Sequence, residues 1–411
     1  MPERALLVNP WIYDFSAYDL WMKPIGLLRV AGYLKKSGFN VNYFDCLASR
    51  SRKDPFDCGK FTKRMIPKPE QIKNIPRSFY RYGVLIEKFE EYLSNIQPPD
   101  VVYVGSGMTF WYLGVQEVIE IIRKKFKNVY IVLGGNYSVL CRNHAIKYSG
   151  ADEIWEGQRL GDYPSWDLID RQDSVVIQTS FGCPFNCRYC GTDILCGGFY
   201  QRSYLEVMEE IEFYMRVFSP KDIAFYDDAL LVNSEKHIKP LLREIIKREI
   251  KVRFHTPNAV HARYIDRELA GLMKEAGFIS IALGFETSKK ERSDSKVNNE
   301  ELLKAVNYLK EAGFTAENIV IYTMCGSLDD SPEDAKNDII FVTEKIKMPV
   351  LLSTYSLVPG SEDYKRWGFS EDLDPLWHNK TIFPLFNKKY SIDVIRKLRY
   401  FASAKNKEVL D

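Results

Sequence analysis

The chain has 411 residues, 45% of them hydrophobic and 27% charged, the balance of an ordinary globular protein and not of a disordered one. Its formal net charge of +2 gives no global pull toward nucleic acid or an anionic membrane. No apolar run approaches the ~20 residues of a membrane helix, and MPERALLVNPW makes no signal peptide, so a cytoplasmic, non-membrane protein is expected.

At about 100–200 residues per domain, the length allows two domains. The first half alternates strand and helix patterns. ALLVNP (5–10) is a short apolar run ending in Pro, and GLLRVAGYLKKSG (26–38) has helical spacing and a C-terminal Gly. NVNYFD (40–45), VVYVGSG (101–107) and VYIVLGG (129–135) are further strands, with helices expected around 113–126 and 138–148 and the short run EIWEG after them. Such units imply a Rossmann-like, doubly wound parallel sheet over 1–160. The stretch 48–81 interrupts it with ten Lys/Arg against three Asp/Glu and four prolines, and reads as an irregular basic insertion. Residues 158–172 are polar and suit a linker.

A second series follows over 172–365. Strands are expected at VVIQTS (175–180), DIAFYDD (222–228), VRFHTPN (252–258), SIALGFE (280–286), IVIYTMCG (319–326) and LLSTYSLVPG (351–360). Helices fit between them, as at 302–313. Six strands are too few for an eightfold barrel of about 250 residues, so a partial (β/α)6 barrel is expected. A short helical tail, 366–411, closes the chain with a helix at 391–406.

Four of the eight cysteines fall within 183–196. In a large chain such crowding points to metal or redox chemistry more than to disulfides. TSFGCPFNCRYCGT (179–192) gives Cys183, Cys187 and Cys190 the spacing C-x3-C-x2-C directly after a strand. Three thiolates can ligate three irons of a 4Fe–4S cluster and leave the fourth iron open to a small molecule with an amine and a carboxylate. The alternative is a zinc ion completed by Cys196 or a distant His.

At these residues the chain resembles the radical S-adenosylmethionine superfamily. The resemblance implies that Cys183, Cys187 and Cys190 hold the cluster and that S-adenosylmethionine is cleaved to an adenosyl radical. It implies S-adenosylmethionine contacts at Tyr189, Asp227, Asp228, Asn258 and Glu286, and at Leu357 and Val358 in LVPG. Read without it, Tyr189 is a core aromatic, the acids are helix caps and Asn258 is a turn residue. MCGSLDD (324–330) departs from the Gly-Leu-Pro-type turn of many relatives.

The domain order resembles the subgroup with an N-terminal cobalamin-binding domain. Ser106 and Met108 in GSGMTF, and Gly134 and Gly135 in LGGNYS, then lie near the cobalamin tail. The Asp-x-His-x-x-Gly loop that supplies a cobalt-ligating His in many cobalamin proteins is missing, so no His from 10–22 is expected on cobalt. The resemblance implies methyl transfer to, or rearrangement at, an unactivated carbon of a small molecule or peptide. It also implies an electron donor such as flavodoxin or ferredoxin. A methylthiotransferase-like enzyme with an auxiliary cluster on Cys46, Cys58 and Cys141 is the alternative, and a non-catalytic iron–sulfur sensor or scaffold another. The insertion could hold a phosphate; its interleaved aromatics also suit a single-stranded nucleic acid, which the near-neutral charge disfavours.

Overall fold

The computed structural model describes residues 2–155, 160–170, 172–289 and 297–411. The chain divides into two units, Met1–Arg171 with Val358–Asn379 and Gln172–Leu357 with Lys380–Asp411. The expected linker, 158–172, lies partly outside the described residues. The expected tail from 366 is divided between the units.

In the first unit a five-stranded sheet runs Glu153–Ile154, Tyr130–Leu133, Val101–Val104, Arg4–Asn9, Asn40–Asp45, with every pairing parallel. From Arg4–Asn9 the chain moves one way to Asn40–Asp45, then crosses to build the other half. The topological switch point therefore lies between Arg4–Asn9 and Val101–Val104, where open α/β sheets bind ligands. The helix Ile25–Lys36 packs through Leu27, Ala31 and Leu34 on Ala5 and Leu7. The helix expected at 138–148 is two, Asn136–Leu140 and Arg142–Tyr148, broken at Cys141, whose φ is −123°.

The stretch expected to be irregular is folded. Ile12–Asp14, Phe79–Tyr82 and Lys63–Ile66 form an antiparallel three-stranded sheet, and Arg50–Lys53 pairs with Gly59–Phe61. The reason is alternation: Phe61 and Tyr82 turn inward onto Ile12 and Leu47 while Lys60, Lys63 and Arg64 are exposed, and only Arg81 of the sheet's cations is buried. Charge hid a period of two.

In the second unit six parallel strands run in chain order: Ser174–Ile177, Asp222–Phe225, Arg253–His261, Phe278–Glu286, Ile319–Cys325, Val350–Thr354. Each crossover carries a helix, three of them starting on capping boxes at Ser203/Glu206, Asn298/Glu301 and Ser331/Asp334. This is the expected open six-stranded barrel. Phe225, Phe254 and Phe278, on three adjacent strands, stack with centroids 5.4–5.7 Å apart. The last strand is shorter than expected, because the chain after Thr354 is irregular. The final helix, Ile392–Leu410, covers that edge, where the Asn406 amide accepts from Val350 N and donates to Val350 O, both at 2.8 Å.

Candidate functional site

The strand Ser174–Ile177 leads into Ser180–Phe181, which pairs antiparallel with Tyr200–Gln201 and so pins the base of a loop. At its entry Gly182 has φ +77°, and a Cβ there would stand 2.1 Å from the Gly198 carbonyl oxygen, so only glycine closes the loop. The loop carries Cys183 and Cys187 half-buried and Cys190 exposed. Cys190 N donates to Cys187 O at 2.9 Å, and the Thr192 hydroxyl is 3.1 Å from Cys190 Sγ. Burial pushes the Cys183 thiol up to about 11 against the Phe185 backbone N–H, and neighbouring Cys187, Cys190 and Asp228 push the same way.

The three thiols are thus neighbours. Among the described residues no three His, Cys, Asp or Glu side chains converge as the ligands of one ion would. A cluster asks for something else, since each thiolate bonds a different iron. The donor set fits a 4Fe–4S cluster with one open iron better than a zinc ion.

Around this loop the structure separates the expected contacts into two groups. Asp227 is committed elsewhere. It is buried, and it accepts from the backbone N–H and the hydroxyl of both Thr179 and Ser180 at 2.5–3.0 Å. Burial raises its carboxyl against these donors. Its place is at the root of the cysteine loop, where it holds Thr179 and Ser180. The Thr179 hydroxyl is also 2.7 Å from His237 Nε2, and Arg202 donates to Gln178 O at 2.8 Å. Sequence reasoning missed this support, although Thr179 and Ser180 open the quoted motif.

Asp228 is exposed and faces Cys183. The exposed Asn258 donates from Nδ2 to Tyr226 O at 3.0 Å, tying its strand to the residue that follows Asp222–Phe225. Glu286 ends its strand half-buried at φ +67°, with Thr287 N donating across it to Phe285 O at 2.9 Å. That is a compact, strained turn for a residue with a Cβ. Burial first, then the Glu286 carboxylate, pushes the Tyr189 hydroxyl far above its ordinary range, so these side chains adjoin. Leu357 is buried and Val358 half-buried beyond the sixth strand. Asp228 lies just beyond Asp222–Phe225 and Glu286 ends Phe278–Glu286, at the carboxyl ends where barrel active sites gather, whereas Asn258, expected to end its strand, falls inside Arg253–His261 where the pairing register shifts between Thr256 and Val260.

In the first unit, Ser106, Met108, Gly134 and Gly135 all lie beyond the carboxyl ends of Val101–Val104 and Tyr130–Leu133. Ser106 Oγ donates to Gly134 O at 2.7 Å, and Asn136 N donates to Ser106 O at 3.1 Å. Gly135 has φ +100°, and a Cβ there would sit 2.2 Å from Ser106 O. Its missing side chain is required by this chain's own backbone. Met108 is 48% exposed. The segment Val358–Asn379 supports the same loop: His378 Nδ1 is 3.1 Å from Thr109 Oγ1, and Asn379 Nδ2 donates to Asp14 at 3.0 Å.

Cys46, Cys58 and Cys141 are not gathered. Cys46 is buried beside Asp45 and Glu117, Cys58 lies in the hairpin beside Phe56 O, and Cys141 sits at the helix break near Asp374. The auxiliary-cluster alternative loses its ligand set.

The family model of the Radical SAM superfamily matches residues 177–341. An uncharacterized methyltransferase of Pyrococcus horikoshii is 25% identical over 259 residues, 60% of this chain and 53% of that protein. The chain thus spans about half the length of this curated relative. A radical S-adenosylmethionine methyltransferase, TsrM of Kitasatospora setae, solved with tryptophan substrate and an S-adenosylmethionine analogue, superposes with a TM-score of 0.63 at 15% identity, covering 88% of this chain and 75% of that one. The cobalamin-dependent radical enzyme OxsB gives 0.54 at 14%, covering 96% and 56%. At these identities the structures speak for the fold. The triad, its loop and most of the six-stranded sheet fall in the segment 177–341, and that segment is what matches the radical SAM superfamily.

Proposed function

We propose that the protein is a cobalamin-dependent radical S-adenosylmethionine methyltransferase acting on an unactivated carbon of a small molecule or peptide. The observation that carries this is the closed loop presenting Cys183, Cys187 and Cys190 beside the polar groups Asp228, Asn258 and Glu286, in a chain whose other unit has a flavodoxin-type strand order. The names of the methyltransferase relatives point the same way.

When bound, the cluster supplies an electron to S-adenosylmethionine and cobalamin supplies a methyl carrier; that chemistry is the cofactors' own. The chain's share is placement. The three thiols hold the cluster, and Asp227 fixes the direction in which the chain enters their loop. Asp228, Asn258 and Glu286 offer an amine, a ribose and a carboxylate their polar partners, with Tyr189 beside them. Ser106, Met108, Gly134 and Gly135 line the first unit's ligand end. An electron donor such as flavodoxin or ferredoxin completes the system, in a cytoplasmic, anaerobic setting. Among the described residues no helix is long and apolar enough to cross a membrane.

The test is anaerobic purification with cobalamin supplied, then reduction with S-adenosylmethionine present. One 4Fe–4S cluster and one cobalamin per chain are expected, with 5′-deoxyadenosine released. No 5′-deoxyadenosine overturns the radical reading. Its release without cobalamin uptake overturns methyl transfer and leaves rearrangement or ring closure.

A further inference from the structure

The folded basic segment encloses a cleft of about 500 Å³ that neither site above uses. Lys60, Lys63 and Arg77 line it, with the Ser78 hydroxyl and the rings of Tyr18 and Tyr80, and none of its lining residues is acidic. Two described acids nearby are already matched. Asp19 is buried in an ion pair with Arg50, and Asp54 pairs with Arg52 at 2.9 Å. Among the described residues no carboxylate lies within 4.0 Å of the Lys60 or Lys63 ammonium. Lys63 is nonetheless held in place, its Nζ 4.0 Å from the Tyr80 ring centroid. Tyr18 is 39% exposed, and its hydroxyl is tied to Asp54 at 2.7 Å, so the ring presents a fixed apolar face.

We propose that this cleft is a binding site for the phosphoryl group of a phosphorylated small molecule bearing a flat ring. Three cations among the lining residues are more than a single carboxylate needs. They match a phosphate monoester, which carries about −1.5 to −2 at neutral pH and three acceptor oxygens. Lysine ammoniums and a guanidinium are the donors such an anion takes. The flat portion lies against the Tyr18 face, and the volume suits a ligand of a few rings. The site is built from the first unit alone and stands whether or not the radical reaction transfers a methyl group.

Calorimetry on the anaerobically purified full chain tests this with phenyl phosphate, inorganic phosphate and benzoate. Phenyl phosphate should bind at least tenfold more tightly than either of the others, and less tightly as salt rises. Lys63→Met and Arg77→Met should each weaken it at least tenfold at unchanged melting temperature. Equal binding of benzoate overturns the phosphoryl assignment, and equal binding of inorganic phosphate overturns the organic ligand. Unchanged affinity in both variants overturns the site. If the variants lose cobalamin uptake together with phenyl phosphate binding, the cleft serves the cobalamin phosphodiester and the proposal falls.

Discussion

The Asp227 carboxylate accepts both the backbone N–H and the hydroxyl of Ser180, at 2.5 and 2.6 Å, three residues before Cys183. One buried acid therefore sets how the chain enters the cysteine loop. Asp227→Asn turns an N–H toward these donors and should cost about 3 kcal/mol, read by chemical denaturation. Cluster content should fall with it. Full cluster content with weakened S-adenosylmethionine binding would instead make Asp227 a ligand contact.

The same network sets a pH response. Burial holds the His237 imidazole down at about 4 and, with His144 adding, His378 at about 3. An unfolded histidine takes its proton near 6.5. Between about 4 and 6.5 the unfolded chain binds more protons, so stability is complete above that range and falls as pH drops through it. His237→Gln should flatten the fall by up to about 3 kcal/mol. Melting curves from pH 7 to pH 4 check this; an unchanged slope would mean that His237 charges in the folded protein.

Glu286 can be tested for strain and binding separately. Its φ of +67° disfavours any residue with a Cβ. Glu286→Gly should leave the fold as stable or more so by about 1 kcal/mol. It should still weaken S-adenosylmethionine binding, as should Glu286→Gln, by about 1.5–3 kcal/mol for a lost charge-assisted bond. Calorimetry on cluster-loaded protein decides, and unchanged affinity in both reduces Glu286 to a turn residue.

Gly135 makes a poor probe of the cobalamin site, because any Cβ meets Ser106 first. Met108 is cleaner. Met108→Arg places a charge on an exposed position, so melting should not change while cobalamin uptake drops at least tenfold. Uptake equal to the native protein's would move the cofactor away from this loop.

The sequence disclosed the strands that are buried on both faces, because their apolar runs stand alone. It disclosed the cysteine triad because spacing survives without coordinates. The basic insertion stayed hidden: Lys63, Arg64 and Arg81 dominate the composition while Phe61, Phe79 and Tyr82 carry the pattern. Asp227 was legible as a strand-end acid but not as a support, since its partners Thr179 and Ser180 lie 48 and 47 residues away. Gly135 looked like a ligand glycine for the same reason, its neighbour Ser106 being distant in the chain.

The return of Val358–Asn379 to the first unit bears on how this gene can be cut. A fragment ending at residue 171 would lack Asp374, which accepts from the Tyr112 hydroxyl at 3.2 Å, as well as His378 and Asn379. Thr109 and Asp14 would lose those buried partners. Modular exchange of the N-terminal half at a single junction therefore carries away an incomplete body, and a workable chimera has to bring the 22 residues of that C-terminal segment along.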